Sequence, residues 1–106
     1  MKPTIRQGDI LLIPMLETAI PEHATVKADG VIARGEATGH RHRIAVLEDA
    51  EVLEGYNGMF VKVGPNGAFI VHEEHGPVTL EPATTYRVHR AREFDYLENF
   101  SRTVRD

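Results

Sequence analysis

The chain contains no cysteine. That excludes disulfides and thiolate metal sites, so a bound metal would have to use imidazole nitrogen and carboxylate oxygen. Long apolar runs are also missing. The longest near the start, "ILLIPML" (10–16), is far too short to span a bilayer. It follows Gly8 and Asp9, and no small-residue cleavage site comes after it, so the layout of a signal peptide is not present. A cytoplasmic protein is the expectation. Basic charge is scarce: 12 Lys and Arg stand against 16 Asp and Glu, for a formal net charge of −4. A general nucleic-acid binder needs a net basic surface, which argues against that class. Lysine is the rarer base, with three against nine arginines. Arginine's planar fork suits carboxylate, phosphate and buried ion pairs.

With 106 residues, 42% of them apolar and 26% charged, the chain fits one domain with a packed core. Nine glycines and six prolines divide it into short segments. Those at 9–14, 31–37, 40–48, 50–55, 58–64, 68–75, 77–82 and 84–94 read as strands, with a brief extended piece inside 21–30. "GPNG" (64–67) reads as a hairpin turn between two of them. Strands at this spacing predict an all-β fold, a small single-domain β-barrel or sandwich over residues 1–94. In the tail 95–106, Leu97, Phe100 and Val104 fall at i, i+3 and i+7. That spacing predicts a short C-terminal helix packed on the β domain or on a neighbour.

Four of the six histidines lie in two clusters, "HRH" (40–42) and "HEEH" (72–75). Strand alternation puts His40, His42, Ile44 and Val46 on one face, with Ile44 and Val46 in the core, and turns Arg41 and Arg43 outward. Two imidazoles two residues apart on one face can chelate a single ion. In the second cluster a straight strand separates His72 and Glu74 from His75. A bulge, or the turn beginning at Gly76-Pro77, would have to bring His75 round. The candidate ligand set is therefore His40, His42, His72, His75 and Glu74, for a divalent metal such as Zn, Ni, Mn or Fe. A second candidate function is a non-catalytic RNA, nucleotide or protein-binding module built on Arg41, Arg43, Arg90 and Arg92. Arg90 and Arg92 share the face of their strand that begins apolar; there they pair with Glu73, Glu74 or Glu93, or clamp an anion near the histidines. A third is a structural homo-oligomer joined through edge strands and the tail. His23 and His89 read as structural or exposed.

The segments "QGDILLIP", "GEATGHRHRI", "HEEHGPVTLEPATTYRVHRAREF" and "SRTVRD" cover about half the chain, in order. Together they resemble a family of small uncharacterised bacterial and phage-associated proteins with the pattern QGD, GExTGHxH, HxEHGPxxLxxGTYxVxRQREY and RxVxD. Thr84, Ala91 and Phe94 depart from it, standing where Gly, Gln and Tyr are expected. The resemblance implies that the histidine segments belong to a recurring design and assigns no activity. His40, His42 and a later His72 or His75 are also similar to the metal site of cupins, although the glutamate that should follow the first pair is missing and Glu48 lies too far along.

Overall fold

Alternating apolar positions place ten short strands in two antiparallel sheets. The computed structural model describes residues 2–34 and 39–91. The strands are β1 (Ile5–Gln7), β2 (Ile10–Met15), β3 (Thr25–Val26), β4 (Val31–Arg34), β5 (Arg41–Ile44), β6 (Ala50–Gly55), β7 (Gly58–Val63), β8 (Ala68–Val71), β9 (Val78–Leu80) and β10 (Thr85–Arg90). The larger sheet runs β1-β2-β10-β7-β6-β3 and the smaller β4-β5-β8-β9. The architecture is a sandwich rather than a closed barrel. Ile10, Leu12, Val52, Val61 and Tyr86 of the larger sheet meet Ile44, Ile70 and Leu80 of the smaller in one buried core. Each fully buried aliphatic side chain there contributes about 1.5–3 kcal/mol relative to exposure.

On β5 the expected alternation holds from residue 41 to 44. His42 and Ile44 are each 1% exposed, while Arg41 and Arg43 face outward. It stops there: Val46 is 49% exposed, because the strand ends at Ile44 and the chain turns into Leu47–Asp49. A register shift between Val31 and Ala33 on β4 lets both Val31 and Ile32 point inward.

The "GPNG" turn is not a hairpin. Gly67 N–H donates to the Gly64 carbonyl at 3.2 Å, so a tight turn forms. The strands on either side nevertheless join different sheets, because β6 and β10 already occupy both edges of β7. The turn is tied instead to its surroundings: Gly64 N–H donates to Asp49 O and Ala83 N–H to Gly64 O. Among the described residues no helix is long and apolar enough to cross a membrane. The expected tail helix at 95–106, and Arg92 with it, lie outside the described residues.

Candidate functional site

The site starts from the β1–β2 hairpin. Gln7 pairs with Ile10, leaving Gly8 and Asp9 as its two-residue loop. Gly8 has φ +59, the conformation that the first loop position of such a hairpin demands and glycine accepts. A side chain on Gly8 would also run into the His75 ring, so the bare backbone makes room for that imidazole.

The residues flanking Gly8 hold His42. Gln7, 2% exposed, donates from Nε2 to the Ile70 and Gly76 carbonyls at 3.1 and 2.9 Å. With its amide nitrogen committed to two acceptors, Gln7 turns Oε1 towards His42 Nδ1 at 2.9 Å, and that nitrogen must donate. His42 Nε2 meets Asp9 Oδ1 at 3.0 Å. The other carboxylate oxygen, Oδ2, accepts from Arg90 Nη1 at 2.7 Å, and Arg90 Nη2 donates to the Arg34 carbonyl at 2.8 Å. Burial pushes the Asp9 carboxyl up, but the hydrogen bonds from His42 and Arg90 outweigh it and hold the group below its ordinary range. For His42, burial is the largest influence and lowers the imidazole; Asp9 opposes it, and His72 and His75 add to it. The net shift is downward, and the Asp9 carboxylate facing Nε2 limits it.

The second histidine cluster is brought in by a bend. β8 ends at Val71, and residues 73–75 turn away from the sheet. The turn does what a straight strand could not. The rings of His72 and His75 lie 4.7 Å apart, His42 and His72 4.2 Å, His40 and His72 5.7 Å, and His42 and His75 6.3 Å, centroid to centroid. All four clustered histidines therefore meet at one end of the sandwich.

Their roles differ. His40, His72 and Glu73 each offer one ligand atom, all within 4.8 Å of one another. His40 Nδ1 lies 3.0 Å from Glu74 Oε1, a carboxylate contact that keeps a proton on Nδ1 and makes Nε2 the ligating atom. Glu73 Oε2 accepts the Arg41 backbone N–H at 2.9 Å, and this bond lowers its carboxyl below the ordinary value. His72 Nδ1 accepts the Glu74 N–H at 3.0 Å. His42 has both nitrogens engaged, and His75 is exposed against Gly8. The acidic member of the three-residue group is Glu73, not the Glu74 that strand parity selects. Parity ceases to apply where the strand ends. Gln7 and Asp9 are also missed as site residues by periodicity, since a glutamine and an aspartate beside a turn glycine look like ordinary turn chemistry. The signal for them in the sequence is the "QGD" at 7–9.

Arg90 is ion-paired with Asp9 rather than with Glu73 or Glu74, and Glu93 lies outside the described residues. Arg41 and Arg43 are exposed on the outer face of the smaller sheet. His23 is exposed, stacks on Tyr56 at 4.3 Å and accepts its backbone N–H. No curated protein and no solved structure matches the chain. A family model does match residues 6–91, a span that takes in Gln7, Asp9, both histidine clusters and Arg90, and the chain belongs to that family, a domain of unknown function (DUF8820).

Proposed function

We propose that this domain binds one divalent metal ion, of the Zn, Ni, Mn or Fe class, through His40, His72 and Glu73. The observation that carries the reading is the convergence of those three ligand atoms within 4.8 Å. Ligands on a tetrahedral zinc with bonds of 2.0–2.1 Å stand about 3.3 Å apart, so the group would have to close by no more than about 1.5 Å. His40 and His72 are half-buried and Glu73 is exposed, so small side-chain rotations accomplish this. Two imidazoles and one carboxylate are the donor set of zinc sites that keep a fourth position for water. Such an ion would polarise a bound water or a substrate oxygen. Glu74, on His40 Nδ1, would orient that ring. His42, fixed by Gln7 and Asp9, would act as a wall that positions His72 and not as a ligand. Binding has one local cost. A neutral His72 ring that accepts at Nδ1 carries its proton on Nε2, so ligation must displace the Glu74 N–H bond or exchange the tautomer. The test is elemental analysis of protein purified without a histidine tag, followed by zinc titration of the metal-free protein. One equivalent, lost in the His40→Ala, His72→Ala double variant, is expected. Sub-stoichiometric metal unchanged by that variant would refute the proposal.

A second reading is favoured by one observation: Arg41 and Arg43 are exposed on the outer face of the smaller sheet, where Phe69 is also 51% exposed. Arginines beside an open aromatic suit single-stranded RNA or a nucleotide. Retardation of RNA that weakens with salt supports this reading, and none at low salt removes it.

A further inference from the structure

We infer that the domain carries a second site, separate from the histidine cluster, for a small organic anion with an apolar body. A cavity of about 340 Å³ opens between β4 of the smaller sheet and the β7 and β10 strands of the larger. That volume falls at the lower end of the roughly 300–1,000 Å³ range of small-ligand pockets. Its floor is apolar: Val31 and Ile32, turned inward together by the β4 register shift, with Ala33, Met59 and Val88. Its polar lining is Lys27, Arg34, His89 and Arg90. No carboxylate lines it among the described residues. The chain as a whole has four more acidic than basic groups, yet among the described residues three cations and no acid gather here.

Two nearby acids pair with two of the cations. Asp29 lies 3.9 Å from Arg34, and Asp9 lies 2.7 Å from Arg90. They neutralise part of the charge, and Asp9 fixes the Arg90 guanidinium in place. A ligand whose alkyl or aryl part covers the five apolar side chains and whose carboxylate meets Lys27 and Arg34 satisfies both halves of the pocket. A neutral ligand brings no carboxylate to Lys27 and Arg34, and a cation is repelled by the excess positive charge of the lining.

The probe is octanoate, with octanol and octylamine as neutral and cationic counterparts, titrated calorimetrically into the full chain. The inference requires no metal, so the titration is run on metal-free and zinc-treated protein alike. Octanoate is expected to bind with one-to-one stoichiometry, roughly tenfold or more tightly than either counterpart. Ala33→Phe should fill the cavity, and Lys27→Glu should reverse a rim charge; each should weaken octanoate at least about tenfold. Lys27 is part-exposed, so this variant retains the fold should the larger side chain at position 33 disturb it. Octanol binding as well as octanoate, unchanged affinity in a folded Lys27→Glu variant, or no binding at millimolar octanoate would each overturn the assignment.

Discussion

Replacing Gln7 by methionine tests how the site is held together. Methionine nearly matches glutamine in length and volume, so packing is kept and the hydrogen bonds are removed. Gln7 makes three: to Ile70 O, to Gly76 O and from His42 Nδ1. Gly76 is exposed and its carbonyl can turn to water. The Ile70 bond is buried, and His42 is 1% exposed, so these two groups lose a partner that water cannot replace. An orphaned buried donor or acceptor costs about 1–3 kcal/mol. The sum is about 3 kcal/mol, a large share of the roughly 5–15 kcal/mol that holds a domain of this size together. At about 4 °C or more per kcal/mol, the melting temperature should fall by about 12 °C. The bend at 73–75 should loosen with it, since Gln7 ties both its ends; amide exchange there should accelerate more than in β6 and β7. Zinc affinity should also fall, because His42, whose ring packs on His72, loses the partner that fixes it. The assay is thermal melting followed by zinc titration of the folded variant. A melting temperature within about 3 °C of wild type would refute the reasoning, because it would show that Gln7 fills space without joining the two elements.

Further outcomes follow from single contacts. Gly8→Ala should cost about 1–2 kcal/mol, from its φ of +59, and should displace the His75 ring; adding His75→Ala should recover only the steric part in urea melts. Tyr86→Phe removes the hydroxyl that accepts the Glu81 N–H at 3.0 Å and should cost about 1 kcal/mol by the same assay. Asp9 has its carboxyl held below the ordinary 3.8, so the stability it adds is present above that value and is lost as pH falls through the lower folded value. The acid-induced loss of wild-type stability below about pH 4 should therefore be steeper than that of Asp9→Asn. Because imidazole must be neutral to ligate, zinc should leave below about pH 6; retention to about pH 4 would exclude a site built on histidine.

Much of this was legible in the residues and some could not be. Glycine and proline punctuation marks the strands, and alternation on β5 correctly sends His42 and Ile44 inward and Arg41 and Arg43 outward. Such rules are local. Which sheet a strand joins depends on which edges are already taken, so the turn at 64–67 looks like a hairpin until β10 is seen beside β7. Alternation likewise says nothing beyond Val71, and the choice between Glu73 and Glu74 is made by the bend after it. Gln7 and Asp9 matter only because their partners lie 35 and 33 residues away, and no periodic pattern reaches that far.

The pairing of β2 with β10 has a consequence for how the protein is made. Ile10 lies opposite Arg90 in that ladder, so the second strand waits for nearly the last described one. Emerging from the ribosome at about 5–20 residues per second, the N-terminal hairpin spends several seconds with its β2 edge open. Closing so long a loop is entropically slow, which places the domain with the slower two-state folders. Asp9 meets Arg90 across the same gap. A chain that stops short of residue 85 contains both histidine clusters and still lacks the strand that anchors Asp9, so truncated products should remain open-edged and prone to aggregation.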